Sequence, residues 1–327
     1  MKKTKKFNSI LIHSFSPGQN KEVNDKDGLK YHYTSPSGLL SIINNGNLYF
    51  TDIRYLNDKS ENVYLIKAML EFLEKNKSSY HITREVFYDL FKEHSFDDLR
   101  NLRVQNIVYN LPNKYIPLRK FVFCTTTDAD SLNMWNYYIH DGHYQGYNIG
   151  FNIERLLKTF DTKEPHTADP FEVLYGKVIY EPKKQTEEIQ SYFDLIETLS
   201  EEVKVDKETL ILNLYHYIDR YGVFYKSSSF SSEKEYRICV EINEEQLKKD
   251  KKNYFGPNNK KINYSFRTSN GLIIPYIEVK LKEDSISRIY ISPMMEFEIA
   301  KESIRELITQ NGFKGVSIHR SKIPVRF

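Results

Sequence analysis

Short apolar runs typical of strands alternate along the chain with longer segments of helical periodicity, and their order predicts a mixed fold. A strand, a short capped helix ended by a glycine and a second strand are predicted in turn over residues 29–51. A continuous apolar run at 120–125 predicts a central strand that is covered on both faces. The other predicted strands lie at 146–152, 171–180, 236–242, 264–266, 273–281, 286–291 and 315–319.

Apolar residues at helical spacing predict helices between these strands. The stretch 183–222 is charged, contains neither Pro nor Gly before Gly222, and is therefore predicted to be helical throughout. The other predicted helices lie at 61–77, 82–91, 130–139 and 297–310.

We identify no linker rich in Gly, Ser or Pro that divides the chain. We therefore predict an irregular lead-in over residues 1–28 and a single domain over 29–327, with helical insertions at about 60–115 and 183–222. Strands occur both early and late, so the predicted class is α+β with a mixed sheet. A doubly wound fold is not favoured because no G-x-G-x-x-G follows a strand.

Composition fits a globular protein, since 40% of the 327 residues are hydrophobic and 28% are charged. A net charge of +3 does not by itself require a nucleic acid or a membrane as partner. Cys124 and Cys239 both lie in apolar runs, which predicts buried thiols rather than a disulfide framework. No apolar run approaches the ~18 residues of a membrane span, and we expect a cytoplasmic protein without a membrane partner.

Two glutamates form the first chemical candidate. Glu233 and Glu235 precede a predicted strand at i, i+2 spacing, which would place both carboxylates on one side of that strand. Arg237 shares this side and could pair with a carboxylate. A fixed carboxylate is the group that stabilises an oxocarbenium-like sugar cation during N-glycosidic cleavage. The alternative is a solvated strand edge.

His32 is the second candidate. It lies within a predicted strand between Tyr31 and Tyr33, so its side chain points away from both neighbours. A neutral imidazole there could form a hydrogen bond to a ribose hydroxyl, and Thr34 shares the same side of the strand. The alternative is a satisfied interior histidine without a chemical role.

Metal sites have weaker support. Asp58 and Glu61 fit a helix N-cap with its capping box, which explains both carboxylates without a metal. His140 and His143 could share a metal on a helix, but Gly142 interrupts the helix between them.

Several of these segments resemble known families. The opening Tyr31–Thr34 with 38–46 and 48–50 is similar to the first elements of the ADP-ribosyltransferase superfamily. The chain also resembles, over roughly 29–327, a widespread bacterial domain family of unknown function. The residues that carry this second resemblance are His32-Tyr-Thr, Leu56-Asn-Asp58, Met134–Tyr138, Gly146 with Ile149–Phe151, Glu233-x-Glu235-x-Arg237 and Ile289–Pro293.

The superfamily resemblance implies a mainly antiparallel sheet of ADP-ribosyltransferase-like type and NAD as substrate without a metal. By that resemblance His32 would hold the adenosine ribose, Glu235 would hold the nicotinamide ribose, and Glu233 would orient the acceptor. The stacking tyrosine would be Tyr49, Tyr55 or Tyr138. The acceptor (protein, nucleic acid or small molecule) and a regulatory partner are left open.

These observations favour an NAD-using ADP-ribosyltransferase-like enzyme that transfers ADP-ribose or hydrolyses NAD. By analogy it would be an effector in phage defence or a toxin system. The alternative is a non-catalytic module of the same fold that senses a nucleotide or a phage component. A metal-dependent nuclease is the third hypothesis.

Overall fold

The computed structural model describes residues 28–58, 60, 63–92, 94–95, 99, 110–111, 118–139, 145–160, 171–243, 254–256, 260–269 and 271–325. The chain divides into two compact units. The sheet unit comprises the described residues of 21–52, 118–175 and 232–327, and the helical unit those of 53–117 and 176–231. The two helical insertions predicted from the sequence fall within the helical unit.

The described strands belong to the sheet unit, except for the last two residues of the fifth strand, which fall in the helical unit. They are β1 (Leu29–Thr34), β2 (Asn47–Asp52), β3 (Leu118–Thr126), β4 (Tyr147–Asn152), β5 (Phe171–Lys177), β6 (Glu235–Asn243), β7 (Tyr254–Gly256), β8 (Lys260–Ser269), β9 (Leu272–Lys280), β10 (Ile286–Ile291) and β11 (Ser317–Arg320). The helices of this unit are α1 (Pro36–Asn45), α4 (Leu132–Tyr138), α5 (Ile153–Leu157) and α8 (Phe297–Gln310).

These strands form one sheet in the order β11-β10-β4-β1-β3-β2-β9-β8-β7, with β6 paired to β3 and β5 paired to β6. The pairs around β1, β3, β4 and β9 are antiparallel, whereas β10 and β11 run parallel. The prediction of a mixed, mainly antiparallel α+β fold is therefore confirmed.

β3 lies at the centre of this sheet, as predicted. One edge pairs with β6 along its whole length, from Leu118↔Asn243 to Thr126↔Glu235. The other edge pairs with β1 at Thr126 and with β2 at Val122 and Phe121. β1 and β2 therefore pair with successive parts of the same edge of β3, and they separate from each other beside Cys124.

Alternation along β3 and β6 gives the sheet two different faces. Phe121, Phe123 and Ile238 point into the main hydrophobic core, which α1 and α8 also contribute to. We call this side the core face. Cys124, Thr126, Glu235 and Arg237 point to the opposite side, which we call the polar face.

The helical unit contains α2 (Tyr64–Lys75), α3 (His81–Leu90), α6 (Pro182–Glu202) and α7 (Lys207–Tyr221). The prediction of continuous helix over 183–222 is wrong, because α6 ends at Glu202 and α7 begins only at Lys207. Lys204 adopts a φ of 53°, and the Asp206 carboxylate caps α7 by accepting from Thr209 N at 2.9 Å. Aspartate is favoured at the N-cap position and disfavoured in a helix interior, so Asp206 begins a new helix here.

The predicted start of α2 also differs from the structure. The Asp58 carboxylate accepts from the backbone N and the hydroxyl of Ser60, at 2.8 and 2.7 Å. Since this local turn occupies the carboxylate, Asp58 does not cap a helix, and α2 begins only at Tyr64. Glu61 lies outside the described residues.

Among the helices in the described part of the chain, none has the length and apolar composition needed to cross a membrane.

Candidate functional site

Glu233 and Glu235 lie on either side of a backbone turn. Glu233 ends a short 3-10 segment, Lys234 adopts a φ of 44°, and β6 begins at Glu235. Lys234 is anchored to the chain after β3, because its carbonyl accepts from Thr127 N at 3.0 Å and its Nζ contacts Asp128 Oδ2 at 3.1 Å. The prediction that strand alternation places both glutamates on one side is therefore wrong, since Glu233 precedes the strand.

Glu235 forms a buried ion pair with Arg237. Nε and a terminal nitrogen of the guanidinium lie 2.8 and 2.5 Å from Glu235 Oε2. The two side chains keep only 5% and 1% of their surface exposed. The predicted pairing between Arg237 and a glutamate on its own side of the strand is confirmed for Glu235. Opposite charges in so dry an environment hold each other in a fixed geometry.

Tyr138 brings Glu233 towards this ion pair. Its hydroxyl donates to Glu233 Oε1 at 3.4 Å, and both side chains are half-buried. Burial raises the pKa of Tyr138 far above its ordinary value, and the negative charges of Glu233 and Glu235 raise it further. The hydroxyl therefore remains a hydrogen-bond donor at any physiological pH. Tyr138, Glu233, Glu235 and Arg237 form what we call the glutamate cluster.

Helix α4 carries Tyr138 and is tied firmly to the sheet. Trp135 packs edge-to-face on Tyr33 with ring centres 4.7 Å apart, and its indole nitrogen donates to Asp130 Oδ1 at 2.8 Å. The same carboxylate accepts from Ser321 Oγ and Lys322 N, both at 2.7 Å. Asp130 thus connects α4 to the segment after β11, and the sequence alone predicted it only as the first residue of a helix.

His32 occupies the gap where β1 and β2 separate from β3. Its Nδ1 lies 3.1 Å from the carbonyl of Cys124, and since a carbonyl only accepts, Nδ1 carries the proton. Burial lowers the pKa of His32, and nearby Arg267 lowers it further, so the ring is neutral and Nε2 is an acceptor. The ring packs on Phe123 at 4.8 Å, which places it on the core face.

The carboxylate of Glu235 is on the polar face, and His32 is on the core face. The structure therefore does not bring these two predicted residues into one contact cluster. Cys124 of β3 lies between the two sites. Its carbonyl contacts His32 Nδ1, and its Cα is paired with that of Arg237, the ion-pair partner of Glu235.

The chain matches one known family over part of its length. Residues 134–238 match the model of a family described as a protein of unknown function, DUF2971. No curated protein and no solved structure matches the chain.

The DUF2971 segment begins inside α4 and ends in β6. It therefore contains the whole glutamate cluster, whereas His32 and Tyr49 lie outside it. The predicted resemblance to a family of unknown function is confirmed over this segment, which is about a third of the chain.

The remaining predicted binding residues lie elsewhere. Thr34 lies against α1, since a Cβ on Gly38 would be 2.0 Å from its hydroxyl oxygen. Tyr49 packs on Tyr276 with ring centres 4.2 Å apart. Tyr55 belongs to the helical unit and keeps 38% of its surface exposed. Of the three candidate stacking tyrosines, Tyr138 is the one that contacts a predicted catalytic glutamate.

Arg267 is a further polar residue that sequence analysis missed. Its guanidinium donates to Thr51 Oγ1 at 3.1 Å, and its charge acts on His32. Only the pairing of β8 with β9 and of β9 with β2 brings it to this position, so no local motif could have indicated it.

Metal-ligand sets of three or more His, Cys, Asp or Glu side chains do not occur among the described residues. His140 and His143 lie outside that part of the chain.

Proposed function

We propose that the sheet unit is an ADP-ribosyltransferase-like enzyme that cleaves the N-glycosidic bond of NAD at the glutamate cluster. The observation that supports this proposal is the combination of a half-buried carboxylate, Glu233, with a buried and fixed one, Glu235, beside a protonated tyrosine. Negative charge fixed in a dry environment is suited to stabilising a sugar cation.

The proposed reaction breaks the bond between C1′ of the ribose and the nicotinamide nitrogen. The bonding electrons leave with nicotinamide, whose ring loses its positive charge, and the ribose becomes an oxocarbenium-like cation. Glu233 is the more accessible carboxylate, so it is assigned to contact this ribose. An acceptor hydroxyl or water then attacks C1′ and transfers its proton to a carboxylate. Tyr138 holds Glu233 in place and offers a ring for nicotinamide.

His32 has a binding role in this proposal. Its Nε2 accepts hydrogen bonds because Nδ1 donates to Cys124, and a ribose hydroxyl is a suitable donor for it. It lies at the separation of β1 and β2, on the other side of β3 from the glutamates.

Nicotinamide release from NAD tests the proposal. The wild-type protein is expected to release nicotinamide, and Glu233→Gln is expected to lower the rate by about 10²–10³, as removal of one stabilising group typically does. Because Glu233 is half-buried, Glu233→Gln should leave the urea unfolding midpoint nearly unchanged. Glu302→Gln, at an exposed position of α8, is the control and should keep the wild-type rate. Equal rates in all three proteins would contradict the proposal.

A second candidate is a non-catalytic module that binds NAD or ADP-ribose, and one observation favours it. Glu235 is only 5% exposed and its carboxylate is already engaged by Arg237, as is typical of a structural pair. Equilibrium dialysis with NAD, followed by chromatography of the ligand, separates the two candidates, because a sensor binds NAD and leaves it intact. The effector role in phage defence or a toxin system stays a prediction.

A further inference from the structure

The end of the sheet formed by β10 and β11 carries a second group of polar and aromatic side chains. Register places Arg288 opposite Ser317 and Tyr290 opposite His319, with all four on the polar face. Lys322 is the second residue after β11 and is exposed. We call Arg288, Tyr290, His319 and Lys322 the basic platform.

Two cations, Arg288 and Lys322, give this platform its positive charge. Two other cations of the described C-terminal segment lie elsewhere, since Lys314 pairs with Glu283 at 3.2 Å and Arg320 lies over the Phe297 ring. Burial lowers the pKa of His319, and the charges of Arg288 and Lys322 lower it further, so both cations act at the imidazole. Arg288 is held in position by the hydroxyl of Tyr31, at 3.4 Å from its terminal nitrogen.

Stacked rings lie beside these cations. Tyr290 and His319 are nearly parallel, at 24°, with ring centres 5.1 Å apart, and both are half-exposed. In the described part of the chain β11 pairs only with β10. Tyr290 covers the inner face of the imidazole, so the other face is directed outward, where a planar group can stack. Ser317 Oγ contacts His319 Nε2 at 2.8 Å and helps to fix the ring.

From this arrangement we propose that the basic platform binds single-stranded nucleic acid. A row of cations that follows a phosphate backbone, next to rings on which unpaired bases stack, is the general design of such surfaces. Charge complementarity selects a polyanion, and the outward ring face selects one with accessible planar bases. A duplex keeps its bases stacked internally and would use only the cations.

The platform faces the same side as the glutamate cluster. A continuous row of paired positions joins them across the sheet: Glu235, Thr126, Tyr31, Gly150 and Arg288. Four strand spacings separate its ends, or about 19 Å. The proposal does not rest on NAD cleavage, because binding at the platform requires none of the glutamate-cluster residues.

Fluorescence anisotropy with a short labelled oligothymidine, without NAD, tests the platform. Each of Lys322→Gln and Arg288→Gln is expected to weaken binding about fivefold at about 0.1 M salt and to reduce the salt slope by about 0.7. His319→Ala should weaken binding about tenfold without changing that slope. Lys314→Gln is the matched control: it also removes an exposed lysine charge from the same segment, but this lysine pairs with Glu283. It should bind like the wild type.

Three results would overturn the proposal. They are absence of oligonucleotide binding at low salt, an equal loss in Lys314→Gln, and competition by polyglutamate as effective as that by the unlabelled oligonucleotide. Lys322 is exposed, so Lys322→Gln tests the platform even if Arg288→Gln fails to fold. Labelled oligouridine compared with oligothymidine shows whether RNA or DNA is preferred. Nicotinamide release is measured separately, so its absence would leave this result unaffected.

Discussion

Two buried charge pairs lie in opposite halves of the β3–β6 ladder, on the same face of the sheet. In one half Glu235 pairs with Arg237 along one strand, and in the other Lys120 pairs with Glu241 across two strands at 3.5 Å. All four side chains are at most 5% exposed. Six residues of strand, or about 20 Å, separate the two pairs.

The neighbours of the two pairs are what distinguish them. The Glu235 pair lies at a strand end, next to half-buried Glu233 and Tyr138. Lys120 and Glu241 lie within the ladder, directly opposite each other. Burial of charge therefore does not in itself indicate a functional site. At the Glu235 end, partly exposed polar groups offer a ligand something to contact.

The largest expected effect comes from breaking each pair. Glu235→Gln removes the negative charge that pairs with the buried Arg237 guanidinium, and we expect it to lower the free energy of unfolding by about 3–5 kcal/mol. Glu241→Gln should cost less, because Lys120 can lose its proton when buried whereas arginine cannot. Urea unfolding followed by circular dichroism measures both.

A double variant provides the control for this prediction. Glu235→Gln combined with Arg237→Met removes both charges and should recover part of the lost stability. If Glu235→Gln unfolds at the wild-type urea concentration, the ion pair is not structural, and Glu235 is available for ligand contact in the same way as Glu233.

Alternation and capping made most of the sheet unit predictable. The run at 120–125 indicated a central strand, and Ser35, Pro36 and Gly46 indicated α1, which begins and ends as expected. The prediction failed where a side chain could form either of two local hydrogen bonds. Asp206 begins a helix inside a stretch without Pro or Gly, and Asp58 bonds to Ser60 instead of capping α2.

The glutamate cluster was only partly predictable. The i, i+2 spacing was enough to predict the Glu235–Arg237 contact, because both residues lie in one strand. The relation of Glu233 to Glu235 depends on the left-handed backbone at Lys234, and no residue type there signals it. The contribution of Asp130 depends on contacts with Ser321 and Lys322, nearly two hundred residues later, which no local pattern encodes.

A variant with a smaller expected effect tests whether the Glu235 end of the ladder is the functional one. Tyr138→Phe removes the hydroxyl that donates to Glu233 and keeps the ring, so the packing of the ring is retained. We expect nicotinamide release to fall about tenfold, in keeping with a single lost hydrogen bond to a charged group. Tyr137→Phe, on the exposed side of the same helix, should leave the rate unchanged. Equal rates for the two variants would remove Tyr138 from the site.

The smallest expected effect concerns His32, on the other face of the same end of β3. Burial lowers the pKa of His32 in the folded protein below its ordinary 6.5, so below that pH the unfolded chain binds more protons. Stability contributed by the neutral ring is therefore complete above about pH 6.5 and declines as the pH falls towards the lowered value. The decline is at most about 1.4 kcal/mol per pH unit. In His32→Gln, urea midpoints between pH 7 and 5 should fall less steeply than in the wild type, while the carboxylates shared by both proteins cancel in the comparison. Parallel curves would show that His32 has the same pKa in the folded protein as in the unfolded chain. This end of β3 would then carry accessible polar groups on both faces of the sheet.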